Sequence, residues 1–407
     1  MSSRFATPLS LRSSLLLATT LVALLVLPAC PGNGGEAKAS RGMELALQDD
    51  AVFVNPTYFD RERAFKHLRS LGVTRLRVSL GWANAMPQSQ AKKKTKPAKI
   101  EWYFGLYDNL IDAAADQGIR VQLSISGPAP AWATGNHKKG PVRPSASKFG
   151  EFAKLAAEHF AGRVDRYSVW NEPNWKSWLN PPSGNLYRSL YLKAYAAVRK
   201  ADPDAKILIG ETSPYARKGL SVAPLAFLRE MGCVNKKYKR TRSCPKLQAD
   251  GFAHHPYDFY HAPNFKYPGA DNATLGTLSN LTRALDKLSR AGSLRKTGGG
   301  KLPLYLTEFG YFASGHRALS ASKRSKYLPQ AFDIALKNKR VKSFLQYLLV
   351  TPPKRFDFAF FNTALITSTN KTYPQYRSLK RWYGRNKSRV KRPTTNPVKL
   401  PAARVVP

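Results

Sequence analysis

The chain has 407 residues, 43% of them hydrophobic, enough for a full buried core, which excludes a disordered protein. Its 66 Lys and Arg against 25 Asp and Glu give a formal net charge of +41, a field that attracts polyanions. Three cysteines, with no Cys/His cluster of metal-ligand spacing, point away from a structural metal site.

Arg4 and Arg12 precede an apolar run at residues 15–27 that is short for a bilayer span, the pattern of a secretory signal. The run closes on Leu27-Pro28-Ala29-Cys30, and the soft linker PGNGGEAKASRG follows. A small residue before cysteine resembles a bacterial lipoprotein signal, which would make Cys30 the lipidated first residue. Pro28 departs from that pattern, and AKA at residues 37–39 offers an ordinary cleavage site instead. Residues 1–41 therefore read as signal and linker, and the protein as exported, either extracellular or held at the cell envelope. In an oxidising compartment Cys233 and Cys244, the ends of CVNKKYKRTRSC, are expected to form a disulfide that staples a loop.

From Gly42 onward, strand-like runs alternate with amphipathic helical stretches. MELALQ precedes FDRERAFKHLRSLG, RLRVSLGW precedes FGLYDNLIDAAADQG, and IRVQLSIS precedes ASKFGEFAKLAAEHFAG. DRYSVW leads to LYRSLYLKAYAAVRKADP, KILIG to VAPLAFLREMG, and DGFAHH to NATLGTLSNLTRALDKLSRAG. LPLYLTE and YLPQAFDIALKNKR form the seventh pair, VKSFLQYLLV and YPQYRSLKRWYG the eighth. Eight strand–helix units imply an α/β protein, a (β/α)8 TIM barrel over residues 42–384. A doubly wound open sheet is the competing architecture, but neither SLGWANAMP nor SISGPAPAW supplies its Gly-rich phosphate turn. Residues 385–407 read as a mobile basic tail.

In a TIM barrel the active site lies at the C-terminal ends of the strands. Glu172 ends the fourth strand in YSVWNEPNWKSW, and Glu308 ends the seventh in LPLYLTEFGYF. Two carboxylates facing each other across one rim suit glycosidic cleavage, in which one protonates the leaving oxygen and the other attacks the carbon. The plainer alternative is two unrelated rim acids.

WNEPN at strand four and TEFG at strand seven resemble the acid/base and nucleophile motifs of the clan A glycoside hydrolases, above all family 39-like and cellulase-like members. The resemblance covers residues 42–383. It implies Glu172 as general acid/base, Glu308 as nucleophile and a retained anomeric configuration. It further implies that Asn171 bonds the sugar 2-hydroxyl and that Arg77 of RLRVSLGW holds the nucleophile ionised, with Arg75 as the register alternative. His255 and Tyr257 of FAHHPYDFY resemble the clan's His-x-Tyr, whose tyrosine bonds the nucleophile, while His254 alternates to the structural side. SGPAPAWAT resembles a Pro-rich turn presenting Trp132 at the rim, and TALITSTNKTYPQYRSL the turn from strand eight to the last helix.

Among the indoles, Trp170 lies in the strand and reads as core, while Trp175 and Trp178 occupy the following loop and are candidates for stacking on sugar. Many clan members place a Trp at the end of strand eight. Here that stretch has none, and Gln346, Tyr347 and Phe360 are the candidates for its space. No cofactor or metal is implied. The expected partner is an oligo- or polysaccharide. Basic clusters at residues 92–99 and 236–242 and in the tail add an anionic wall polymer or membrane surface. No motif of a nucleic-acid module is present. A non-catalytic carbohydrate-binding barrel and a transglycosylase are the alternative functions, and oligomeric state stays open.

Overall fold

Period-two alternation decides which side chains enter a barrel and which face its helices. The structure, a computed structural model, describes residues 42–356, 360–394 and 396–405. The signal, linker and Cys30 expectations fall outside the described residues.

Eight parallel strands close into one barrel, and their spatial order is their sequence order. They are β1 (Glu44–Gln48), β2 (Arg75–Gly81), β3 (Arg120–Ser126), β4 (Arg166–Val169), β5 (Lys206–Thr212), β6 (Gly251–His254), β7 (Leu304–Leu306) and β8 (Val341–Tyr347). The closing pair aligns Gln48 of β1 with Tyr347 of β8. The eight main helices are α1 (Arg61–Ser70), α2 (Phe104–Asp116), α3 (Ala146–Phe160), α4 (Gly184–Ala201), α5 (Pro224–Met231), α6 (Leu278–Arg290), α7 (Ala321–Lys337) and α8 (Pro374–Asn386). Each follows the strand of its own number, which gives the expected (β/α)8 TIM barrel.

Side-chain caps start several helices: Asp60 accepts from Arg63 N, and Ser145, Ser183 and Ser320 play the same part for α3, α4 and α7. Helix α7 begins six residues before the expected Tyr327. Its first turns (ASKRSK) lack an apolar period to announce them, and the Ser320 cap sets the true start. At the α1–β2 turn Gly72 has φ +72, and a Cβ there would lie 2.1 Å from the Tyr383 ring of α8. Both the conformation and the close approach demand glycine.

The apolar side of each strand faces the helices. Leu76, Val78 and Leu80 of β2, Val121, Leu123 and Ile125 of β3, and Ile207 and Ile209 of β5 join the large core cluster. The barrel interior is polar by contrast. At its floor Arg75 pairs with Glu44 at 2.9 Å and Asp165 at 2.6 Å, and Arg166 adds a second cation on Glu44 at 2.7 Å. Leu208, Ala253 and Tyr305 form a small apolar patch between this floor and the upper rim. Burying that many charges is tolerable only because they are paired.

The expected mobile tail is a correction. Lys391 N bonds Met43 O, Val398 N bonds Ala115 O of α2, and Arg163 beside α3 bonds Pro401 O. These bonds, with Lys391 Nζ 3.3 Å from Glu44, tie the tail to the barrel at Lys391, Val398 and Pro401. Its net basic composition hid the backbone bonds that fix it. A small parallel pair, Leu247–Ala249 with Leu294–Lys296, lies outside the barrel. Cys233 and Cys244 form the disulfide, with Cα atoms 6.5 Å apart.

Candidate active site

At the upper end of the barrel, inward-facing residues of β2 and the C-terminal ends of β4–β8 meet. The alternation that puts Leu76 and Val78 outward puts Arg75 and Arg77 inward, on two levels. Arg75 takes the floor and Arg77 the rim, which settles the register question.

Arg77 is 1% exposed and serves five acceptors. It donates through Nη1 to Glu308 Oε1 at 3.0 Å and to Gln48 Oε1, and through Nη2 to Asn171 Oδ1 at 2.9 Å and Ser124 Oγ at 3.4 Å. Its Nε donates to Glu211 Oε1 at 3.3 Å. One guanidinium thus ties together side chains from β1, β3, β4, β5 and β7. Asn171 is buried with its oxygen turned to Arg77.

Glu172 follows β4 and keeps 18% of its side chain exposed; Glu308 follows β7 with 12%. Both reach one nitrogen of His255, just beyond β6. His255 Nδ1 lies 3.0 Å from Glu172 Oε1 and 3.6 Å from Glu308 Oε2. Tyr257 donates its hydroxyl to Glu308 Oε2 at 3.2 Å. Burial pushes the Glu308 carboxyl up; His255 and Arg77 pull against it, and the negative charges of Glu172 and Glu211 add to the rise. His254 points the other way, between Thr212 Oγ1 and Ala273 O, and burial lowers it to about 4.

A third carboxylate, absent from the sequence reading, lies beneath the two acids. Glu211 of β5 is fully buried and faces His255 Nε2 at 2.8 Å, the Thr307 hydroxyl at 2.5 Å and Arg77. Burial alone would raise it, but Arg77 and His255 hold it down to about 2. Strict alternation from Leu208 would turn residue 211 toward the helices. The ladder between β5 and β6 slips between Gly210 and Thr212, a bulge that turns Glu211 inward. Its φ of +49, and those of Trp170 (+70), Glu172 (+37) and Leu348 (+61), place four left-handed non-glycine residues at this rim. Such conformations persist where surrounding contacts over-determine them, a pattern typical of functional sites.

The indoles separate as the sequence suggested, with one correction. Trp170 is fully buried, while Trp175 is half-buried beside Arg217 and Trp178 is 37% exposed. Trp132, expected to be presented at the rim, is 4% exposed and packs edge-on against Trp82, 5.5 Å between ring centres. The turn after β3 folds it toward α3 and residues 96–102, with which it lines a small cavity. At the end of β8, Gln346 is buried on the backbone carbonyls of Tyr347, Leu348 and Thr363, and Phe360 is 70% exposed. Burial first, and then the charges of Glu308, Asp50 and Asp49, raise the Tyr347 hydroxyl. Among the described residues no group of three or more His, Cys, Asp or Glu is arranged to hold a metal ion.

The family model for cellulase (glycosyl hydrolase family 5) matches residues 32–343. Similar solved folds include a family 39 glycoside hydrolase from the gut symbiont Bacteroides cellulosilyticus WH2, at 18% identity and TM-score 0.62, covering 84% of this chain and 64% of that one. A monomeric beta-xylosidase from Caulobacter crescentus CB15 matches at 15% identity and TM-score 0.54, covering 84% and 69%. The exo-beta-1,4-mannosidase Op5Man5 from Opitutaceae bacterium strain TAV5 matches at 13% and 0.55, covering 88% and 63%. The chain thus spans less than two thirds of the length of the first and third of these proteins. Comparison with curated protein sequences finds no match.

Proposed function

We propose that the chain, which belongs to the cellulase family, glycosyl hydrolase family 5, is a glycosidase that cleaves O-glycosidic bonds with retention, Glu172 acting as acid/base and Glu308 as nucleophile. In the first step Glu308 attacks the anomeric carbon while Glu172 gives its proton to the departing oxygen, leaving a glycosyl ester on Glu308. In the second, Glu172 takes a proton from water as that water attacks the same carbon, and the ester bond breaks to release Glu308.

The observation that carries this reading is the meeting of the two carboxylates on His255 Nδ1, at 3.0 and 3.6 Å. Oxygens that share one nitrogen fit the about 5–5.5 Å carboxyl spacing of retaining enzymes, not the about 6.5–9.5 Å of inverting ones. Arg77 and the Tyr257 hydroxyl stabilise the charge on Glu308 between turnovers. Asn171, fixed by Arg77, is the group for the sugar 2-hydroxyl, and Trp175 and Trp178 are the stacking surfaces further out.

The protein is proposed to work after export, with residues 1–41 as signal and linker. Its basic surface is proposed to dock an anionic wall polymer or lipid surface, an association that would weaken steeply as salt rises. The test of mechanism is azide rescue on aryl glycosides. Glu308→Ala should yield the inverted glycosyl azide and Glu172→Ala the retained one; the opposite stereochemistry overturns the assignment. A product analysis with added acceptor sugars separates hydrolysis from transglycosylation.

A further inference from the structure

Glu211 is the fully buried carboxylate that the two-acid mechanism leaves unemployed. Its contacts reach every working part of the site. Its carbonyl accepts from Glu172 N at 2.9 Å, its carboxylate accepts from Arg77 and Thr307, and its Oε2 lies 2.8 Å from His255 Nε2. His255 is fully buried between oxygens: Glu211 on one ring nitrogen, Glu172 and Glu308 on the other.

That geometry constrains protons. Ionised carboxylates only accept hydrogen bonds, and a neutral imidazole has a single N–H. With Nε2–H donated to Glu211, the 3.0 Å contact between Nδ1 and Glu172 Oε1 is a bond only if a second proton lies on that line. It is carried either by the ring or by the carboxyl.

We propose that Glu211 is a positioning residue: it fixes His255 with Nε2–H directed at its own carboxylate, and its buried negative charge keeps one shared proton on the Glu172–His255 pair. This rests on the assignment of Glu172 as acid/base and explains how that residue keeps a deliverable proton beside a basic ring. When Glu172 gives its proton to the leaving oxygen, the proton on the pair is spent. When Glu172 then takes one from the attacking water, the pair is restored, with Glu211 ionised throughout.

Every charged or titratable group facing the pair enters the balance. Glu211 comes from β5, Glu308 from the end of β7, Tyr257 from the end of β6 and Arg77 from β2, with Asp50 and Tyr347 behind them at the ends of β1 and β8. His254 faces away and is bonded elsewhere. With one shared proton the Glu172–His255 pair is neutral, so Arg77 alone stands against the ionised Glu211 and Glu308, and that excess of negative charge favours keeping the proton on the pair. The three carboxylates raise the imidazole to about 10 although burial works against it.

The experiment is a pH titration of the histidine ring nitrogens by NMR on the full chain, together with the pH profile of kcat/KM, for wild type, Glu211→Gln and Glu211→Asp. In the wild type the pair should hold its proton beyond pH 8. Removing the negative charge weakens proton binding, so Glu211→Gln should release it at a pH lower by a factor of ten or more in proton concentration. The alkaline limb of kcat/KM should move acidward with it, while Glu211→Asp, which keeps the charge, should leave the limb in place even if the rate falls. An unmoved titration in Glu211→Gln, or a wild-type His255 titrating near pH 6.5, overturns the proposal. The wild-type titration decides the case even if the Gln variant does not fold. Because it needs no turnover, it also separates failure of this inference from failure of the glycosidase mechanism.

Discussion

Replacing Arg77 is the most direct probe of how the site is held. In Arg77→Lys the charge stays but the fork is lost. An ammonium has three N–H donors on one atom, whereas Arg77 serves Gln48, Ser124, Asn171, Glu211 and Glu308 from three separate nitrogens. At least two acceptors lose their donor. A hydrogen bond to a charged group contributes about 1.5–3 kcal/mol, so two such losses come to about 3–6 kcal/mol. Spent wholly on transition-state stabilisation, that is a fall of roughly 10²–10⁴ in kcat/KM. Arg77→Met goes further and leaves Glu211, which is fully buried, facing Glu308 without the guanidinium that pairs with both. Breaking a buried pair in this way costs about 3–5 kcal/mol of stability. It also raises the Glu308 carboxyl above its already elevated position, so the acid limb of kcat/KM should move to higher pH. The assay is kcat/KM against pH on an aryl glycoside, with urea unfolding of each variant alongside. A Lys variant within threefold of wild type, or a Met variant with the acid limb unmoved, would refute the account of Arg77 as the tie between the carboxylates.

Tyr257→Phe removes the 3.2 Å hydroxyl bond to Glu308 but keeps the ring packed on Phe259 and Phe309, so kcat/KM should fall about 5–30-fold while the urea midpoint stays put. Asp49, fully buried, accepts from Leu349 N and Val350 N, and burial raises its carboxyl to about 7. A folded-state value above the unfolded one means that the fold favours the proton, so this residue's contribution is present below about pH 4 and is lost as pH rises to 7. Asp49→Asn should remove that loss, and unfolding at pH 8 should show a gain on the order of 4 kcal/mol at most, shrinking toward pH 4. Trp170→Ala should cost about 3–5 kcal/mol in unfolding because the indole is fully buried. Trp178→Ala, at 37% exposure, should leave stability within about 0.5 kcal/mol and raise KM on polymeric glycans.

Most of the candidate site is legible in one dimension because β-strands alternate and parallel barrels align their C-terminal ends. Asn171, Glu172, His255, Tyr257 and Glu308 meet at the rim for that reason, each within three residues past a strand end, and Arg77, inside β2, points inward to join them. Glu211 escaped the same logic. KILIG reads as a strand that stops at Gly210, and only the slipped ladder against β6 turns the next residue inward. The outer aromatics were half legible. The resemblance of SGPAPAWAT to a Pro-rich rim turn singles out Trp132, but how far such a ring is exposed depends on what packs on it, here Trp82.

The sequence by itself determined the eight-fold alternation and the two acids on opposite sides of one rim, and it narrowed the cation beside Glu308 to Arg77 or Arg75. Those follow from local periodicity, which each segment carries within itself. Only the tertiary structure decided that Gln346 is spent on backbone carbonyls while Phe360 stays exposed, and that the chain after α8 is bonded to the barrel at Lys391, Val398 and Pro401. It alone brought a third carboxylate under His255. These depend on a register slip and on a tail held by backbone bonds to partners hundreds of residues away, and no local pattern encodes such contacts.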